Sequence, residues 1–274
     1  MPIRLLAVDL DGTLLTKERV PHPENIQAIR RAIDAGILVV PASGRIASSI
    51  SQFSRELGID GAMICSNGSH VVGPGGVELL YIGLPNEAIQ ITLDYAERVG
   101  VHTSGYLRNE LFFLSDSKYG ELYRSRVRSV IPQRATFAQV RAMDLLKIIL
   151  IDDPASIPSH RLALEGLLSK ELGALTESEP EYLEILSPAA NKGVGLKVLS
   201  ESLQIRQEET AAIGDYLNDV EMVQWAGVGA AMANAIDEVK AAANIQVGTN
   251  DNAGVAEFID YLIRKNGAPL PFGS

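Results

Sequence analysis

Two short stretches of this chain gather carboxylates, and two others supply a hydroxyl and a lysine that could work beside them. The first is Asp9-Leu10-Asp11-Gly12-Thr13, at the end of the apolar run Ile3 to Val8. An apolar run bounded by a glycine turn reads as a strand buried on both faces, and residues two apart on a strand point to the same side. Asp9 and Asp11 would then crowd one spot at the carboxyl end of a strand. Carboxylates held together repel, so one tends to keep a proton while the other stays ionised, giving an acid beside a nucleophile. A plainer reading stands next to this one: Asp-Leu-Asp-Gly can be a turn that ends a strand through local hydrogen bonds. A calcium loop is excluded, because counting from Asp9 its glycine position holds Leu14 and its final glutamate position holds Val20.

The second acidic stretch is Gly214-Asp215-Tyr216-Leu217-Asn218-Asp219, again after an apolar run, Thr210 to Ile213. Asp215 could cap the following helix, with Asn218 and Asp219 in its first turn. If instead Asp215 meets Asp9 and Asp11 at one sheet edge, their mutual repulsion calls for a hard cation, and oxygen ligands suit Mg²⁺. Ser43-Gly44-Arg45 follows the apolar run Ile37 to Pro41, and its hydroxyl and free N–H groups at a helix start make an anion site, unless Ser43 only caps that helix. Lys192 opens another helix, where a cation is mildly unfavourable to the dipole; it is either solvated or functional. The four histidines, His22, His70, His102 and His160, form no spaced pair, so zinc is not expected.

Together these groups meet the needs of phosphoryl transfer. A carboxylate approaching a phosphate dianion meets two charges, each costing about 4 kcal/mol at about 4 Å and an effective dielectric near 20. Mg²⁺ and Lys192 could offset that. Asp9 would attack phosphorus and form an aspartyl phosphate, and Asp11 would protonate the leaving oxygen and then deprotonate the hydrolytic water. Ser43, the neighbouring N–H groups and Asn218 would hold the phosphoryl oxygens.

The elements that must position these groups follow from the hydrophobic pattern. Helices are expected at about Pro23 to Ala35 and Ile46 to Leu57, and strands at Ile37 to Pro41 and Ala62 to Cys65, the last ending at Ser66-Asn67-Gly68. Strand and helix alternate in this way in doubly wound α/β sheets. The rhythm then changes. A hairpin over His70 to Ile82 turns at Gly73 to Gly76, and a helix spans Pro85 to Gly100. Strands are expected at Val101 to Leu107, Leu111 to Ser115, Leu145 to Asp152, Ala174 to Ser178 and Tyr182 to Leu186, with helices at Lys118 to Val127 and Pro154 to Leu172. Short turns there suggest an inserted antiparallel sheet with helices on one side. From Asn191 the first pattern resumes, with helices at Val194 to Leu203 and Gly254 to Arg264 and strands at Thr210 to Ile213, Gly227 to Met232 and Asn244 to Val247. Pro85 and Pro188 stand at the two crossings, as hinges or as rigid linkers.

Composition narrows the function classes. A length of 274 residues with 46% hydrophobic content favours about two domains with real cores. A net charge of -10 and a pI near 5.0 speak against a nucleic-acid partner, whose phosphates are met by basic patches. Cys65 is the single cysteine, so no internal disulfide can form, which suits a reducing cytosol. No apolar run reaches the roughly 20 residues of a membrane span, and the N-terminus runs straight into a strand with no signal-peptide pattern. The expectation is a cytoplasmic protein, monomeric or a small homo-oligomer. No Gly-x-Gly-x-x-Gly follows an expected strand, and no Gly-x-Ser-x-Gly is present.

In order, Asp9-Leu-Asp11-Gly-Thr-Leu, Ser43-Gly44-Arg45, Lys192-Gly193 and Gly214-Asp215-x-x-Asn218-Asp219 resemble the four motifs of the haloacid dehalogenase (HAD) superfamily of phosphohydrolases. The Ser66-Asn67-Gly68 turn, Met232-Ala-Asn-Ala and Asn-Asp-x-x-Gly-Val-Ala resemble its Cof-like branch. The resemblance implies a Rossmann-like core of residues 1–83 and 188–274 and an inserted α+β cap of residues 84–187. It implies Mg²⁺ held by the side chains of Asp9 and Asp215 and the carbonyl of Asp11, with Asp219 orienting that site. It further implies phosphate contacts from the Leu10 backbone, Ser43, Gly44, Lys192 and Asn218, and substrates among sugar phosphates and other small phosphomonoesters. Arg45 and Asn67 are candidate substrate contacts. A phosphomutase of the same superfamily, or a signalling module that stores a phosphoryl group on Asp9, are the rival readings.

Overall fold

The computed structural model describes residues 1–59, 61–126 and 130–267. The chain opens with β1 (Leu5–Val8), all four residues buried, and α1 (Pro23–Asp34). Pro23 suits the first turn of α1, where its missing N–H costs nothing. β2 (Leu38–Pro41) and α2 (Ala47–Leu57) follow, and Gly58 closes α2 in the left-handed conformation. β3 (Met63–Cys65) leads into Ser66, Asn67 and Gly68, all with positive φ. That turn reverses the chain, so β4 (His70–Val72) runs antiparallel to β3, and β5 (Glu78–Tyr81) antiparallel to β4. Gly68 is required there twice over, by its φ of 86° and because a Cβ would collide with the carbonyl of Asn191.

The middle of the chain holds α3 (Asn86–Val99), β6 (His102–Tyr106), β7 (Leu111–Phe113), α4 (Lys118–Arg126), β8 (Gln133–Arg134), α5 (Phe137–Val140), β9 (Lys147–Ile151), α6 (Ile157–Glu165), β10 (Ala174–Thr176) and β11 (Tyr182–Leu186). The remainder is α7 (Lys192–Ser202), β12 (Thr210–Gly214), α8 (Val220–Trp225), β13 (Val228–Met232), α9 (Asp237–Ala242), β14 (Ile245–Val247) and α10 (Gly254–Lys265).

A five-stranded parallel sheet in the order β14-β13-β12-β1-β2 puts the first strand beside the late strand β12. Its residues alternate between two packed layers, as strand geometry requires. Leu6 and Val8 face α1 and α10, among Ala28, Ile29, Phe258 and Leu262. Leu5 and Ala7 face α7 and α8, among Leu196, Leu199 and Met222. The expected fold class, a doubly wound parallel sheet with an inserted α+β part, is the one observed. β3 departs from its expected place as a third sheet strand: it meets β2 through the single bridge Ala42 to Ile64 and belongs to the antiparallel trio instead. The left-handed turn after Cys65 folds the chain back, which is why β3 pairs with β4.

The inserted sheet has the order β10-β11-β9-β6-β7-β8, antiparallel except between β7 and β8. Ile148, Leu150, Leu183 and Ile185 pack under α3 and α6. The opposite face, with Tyr106, Ile149, Ile151 and Tyr182, is covered by Tyr119 and Tyr123 of α4 and by Ile46. The expectation of helices on one side is thus corrected: α4 lies across the other face. Its expected end at Val127, and the tail beyond Gly267, lie outside the described residues. Among the described residues no helix is long and apolar enough to cross a membrane.

Candidate active site

Parallel pairing sets Val8 opposite Ile213, so the two chains leave the sheet side by side with Asp9 and Asp215 at their tips. Asp9, Asp215 and Asp219 each bring an oxygen within 4.8 Å of the others, and all three are buried. Lys192, the first residue of α7, is itself fully buried, and its Nζ donates to Asp9 Oδ1 and Asp219 Oδ1, each at 2.6 Å. The solvated reading of Lys192 is therefore wrong. Asn191 caps α7 through its side chain, which accepts from the N–H of Val194 at 2.8 Å, so the lysine is delivered from a fixed helix start. Asp219 Oδ2 accepts from the N–H groups of Asp215 at 2.9 Å and Tyr216 at 3.2 Å, while Thr13 Oγ1 donates to Asp215 Oδ1 at 2.7 Å. Gly12, with a φ of 83°, leaves room for Asp215, whose carboxylate a Cβ there would strike.

The charges do not balance. Three buried carboxylates face one buried ammonium. Burial, then the neighbouring Asp219, pushes the Asp9 carboxyl up to about 8, against the pull of Lys192. Burial and then Asp9 raise Asp215 well above the carboxylate range. Burial would lower Lys192, but Asp219 and Asp9 outweigh it and hold the ammonium charged. A buried excess of negative oxygen is the donor set that a hard divalent cation fits.

Asp11 turns away from this cluster. Arg45 grips it in a fork, Nε to Oδ2 at 2.8 Å and Nη2 to Oδ1 at 2.6 Å, and Arg19 Nη1 adds a bond of 2.8 Å. Burial would raise the Asp11 carboxyl, but the Arg45 and Arg19 guanidinium groups hold it below its ordinary value. Arg45 lies over the ring of Phe53, at 5.1 Å from its centre.

Ser43 is buried, and its Oγ accepts from the N–H of Arg45 at 3.2 Å. The N-cap of α2 is Ile46, so the reading of Ser43 as a mere helix cap does not hold. Asn218 Nδ2 donates to Asn67 Oδ1 at 3.0 Å, and Asn67 Nδ2 to Glu184 Oε2 at 2.9 Å. Asp9, Asp11, Ser43, Gly44, Arg45 and Asn218 line one cavity of about 40 Å³, roofed by Tyr106, Tyr123, Arg126, Lys147, Tyr182 and Glu184 from the inserted sheet and α4. Lys192, Asp215 and Asp219 adjoin it through Asp9, and Asn67 through Asn218. The Leu10 side chain is buried in the hydrophobic core, which leaves only its backbone for the site.

The family model described as haloacid dehalogenase-like hydrolase matches residues 6–259. The chain belongs to the haloacid dehalogenase-like hydrolases. It is 30% identical to the 5-amino-6-(5-phospho-D-ribitylamino)uracil phosphatase YwtE of Bacillus subtilis, over 95% of this chain and 98% of that protein. It is 31% identical to the pyridoxal phosphate phosphatase YbhA of Escherichia coli, over 94% of this chain and 98% of that one. Among solved structures, a haloacid dehalogenase-like hydrolase from B. subtilis superposes with a TM-score of 0.83 at 27% identity, covering 95% of this chain and 100% of that one. Within the family the chain is a phosphoric monoester hydrolase, and the inserted segment is its cap.

Sequence reasoning missed several residues of this HAD-like site. Thr13, Arg19, Tyr106, Tyr123, Arg126, Lys147, Glu179 and Glu184 all touch it or its ion pairs. Lys147 and Glu184 did carry a signal, since each is a lone charge inside an apolar strand run, Leu145 to Ile151 and Tyr182 to Leu186. Arg19, in a polar loop, carried none.

Proposed function

We propose that this HAD-family enzyme is a Mg²⁺-dependent phosphatase of small phosphomonoesters, sugar phosphates foremost, that works through an aspartyl phosphate on Asp9. The observation that carries the reading is the meeting of Asp9, Asp215, Asp219 and Lys192 at the tips of two adjacent parallel strands. The names of the relatives, a ribitylamino-uracil phosphate phosphatase and a pyridoxal phosphate phosphatase, support a small phosphorylated metabolite as substrate. In this reading residues 1–83 and 188–274 are the catalytic core and residues 84–187 the cap.

Asp9 and Asp215 would hold the cation through their side chains and Asp11 through its carbonyl. Asp219 orients the site: its oxygens already accept bonds from Lys192, Asp215 and Tyr216. Bound there, Mg²⁺ supplies the positive charge that keeps Asp9 ionised and offsets the phosphoryl oxygens. Lys192, Ser43, Asn218 and the N–H groups of Leu10 and Gly44 hold those oxygens.

An Asp9 oxygen forms a bond to phosphorus as the bond to the ester oxygen breaks, and Asp11 gives that oxygen its proton. A water then attacks phosphorus, Asp11 takes its proton, the bond to Asp9 breaks and orthophosphate leaves. Asp11 needs a proton for the first step, so Arg45 and Arg19 must turn from it towards the substrate's phosphate, a dianion and the stronger partner. A cavity of about 40 Å³ holds only a few waters, so the cap opens to admit substrate. Arg45 and Asn67 would meet the substrate as it enters. A screen of phosphorylated metabolites tests the reading: phosphate release with Mg²⁺ and none after chelation is expected, and release that survives thorough chelation contradicts it.

A further inference from the structure

Of the hydrogen bonds that join the cap to the loops around the phosphoryl site, two belong to an ion pair that the proposed steps do not use; another, Arg19 to Glu179, holds the loop beside Asp11. Lys147 and Glu184 are fully buried on the antiparallel strands β9 and β11. Glu184 stands opposite Ile149, and Ile149 is two residues from Lys147, so the pair shares the aromatic face that roofs the cavity. Charges buried on such a face persist only when every partner is in place. Here each is. Lys147 Nζ bonds Glu184 and the carbonyl of Gly44 at 2.7 Å, and lies 4.6 Å from the centre of the Tyr106 ring. Glu184 also accepts from Ser178 and, at 2.9 Å, from Asn67, which accepts from Asn218 at 3.0 Å.

The path Gly44, Lys147, Glu184, Asn67, Asn218 therefore starts and ends on proposed phosphate contacts, while its middle is supplied by the cap. Space at the junction is tight. A Cβ on residue 44 would stand 3.0 Å from Asn67 Oδ1 and 3.3 Å from Lys147 Nζ. We infer that Lys147 and Glu184 are positioning residues: with the cap closed they set the spacing between the Ser43-Gly44-Arg45 loop and Asn218 that the transferring phosphoryl group requires. Cap closure and phosphoryl binding then become one event. The inference rests on the phosphatase reading and adds a task for the cap beyond covering the site.

The test replaces the pair with apolar residues of similar size, Lys147→Met together with Glu184→Leu, a change that buried ion pairs often tolerate without loss of stability. Glu184→Gln, which keeps an acceptor for Lys147 and Asn67, is the rescue variant. The melting temperature shows that each variant folds. Turnover of p-nitrophenyl phosphate and of the best ester from the screen, and inhibition by inorganic phosphate, are then compared with the wild type. The double variant is expected to keep its fold, lose about 10- to 100-fold in kcat on both esters and bind inorganic phosphate more weakly, while Glu184→Gln keeps most of the turnover. A folded double variant with the kcat of the wild type overturns the inference, as does one that changes only KM for the larger ester. A wild type that releases no phosphate from any ester sinks the phosphatase reading instead. The coupling is then decided by hydrogen exchange: phosphate with Mg²⁺ should protect residues 42–50 and 144–152 in the wild type alone, and equal protection in the double variant overturns it.

Discussion

Two lysines are buried equally in this molecule, and their surroundings set them to different work. Lys192, in the core, faces Asp9 and Asp219, and these outweigh burial to hold its charge firmly. Lys147, in the cap, faces Glu184, which does not offset burial, so its pKa stays below the ordinary lysine value. The core cluster adds Asp215, so three carboxylates meet one ammonium; the cap pair is one to one. A self-balanced pair can close an interface without help. An over-charged cluster relieves its repulsion by taking up a proton or a further cation, which is the property the proposed metal site would use.

The largest test of this contrast is Asp9→Asn. It removes the proposed nucleophile and one charge from the crowded cluster, so turnover should fall by roughly 10⁴-fold or more while the melting temperature holds or rises in the absence of metal. A variant that keeps wild-type phosphate release would break the comparison at its root. Asp11→Asn comes next. The variant cannot give or take the proton, so a loss of about 10²- to 10⁴-fold in kcat is expected, and an unaltered rate would put the acid elsewhere.

The smallest effect is on stability, and it has opposite signs in the two regions. In the metal-free protein burial and then Asp219 push the Asp9 carboxyl up from 3.8 to about 8, so the folded state holds a proton that the unfolded chain releases. The stability this contributes is complete below the unfolded value and is lost as pH rises through about 8. In the cap, burial and then Arg124 lower His102 from 6.5 to about 4. Its contribution is complete above 6.5 and is lost as pH falls through about 4. Hydrogen exchange in chelator, corrected for the intrinsic rate, should show residues 3–14 opening more easily towards alkaline pH and residues 100–107 towards acid. Mg²⁺ should abolish the first trend and leave the second. Matching trends in both segments would remove the contrast.

The same contrast governs what could be read from the chain. The core site was legible because strand tips put Asp9, Ser43, Asp215 and Asn218 at motif spacing beside small residues and glycines, and local rules describe strand ends well. The burial of Lys192 was not legible, since a lysine at a helix start looks solvated until two distant carboxylates are placed over it. In the cap, α4 was expected with the other helices, yet it crosses the opposite face because Tyr119 and Tyr123 find Tyr106 and Tyr182 there. Such packing is a tertiary choice that no period in the sequence records. Three successive left-handed residues turn β3 back into β4, and of these Asn67 and Gly68 are types that favour such a conformation while Ser66 gives no sign.

The central claim is that Asp9 receives the phosphoryl group, and mass spectrometry of enzyme quenched in acid during turnover of p-nitrophenyl phosphate with Mg²⁺ tests it most directly. One added phosphoryl group on Asp9, within the tryptic peptide of residues 5–17, is the predicted result, with no such species in Asp9→Asn. Phosphate release with that peptide unmodified at every time sampled, or the group found on Asp11, would contradict it.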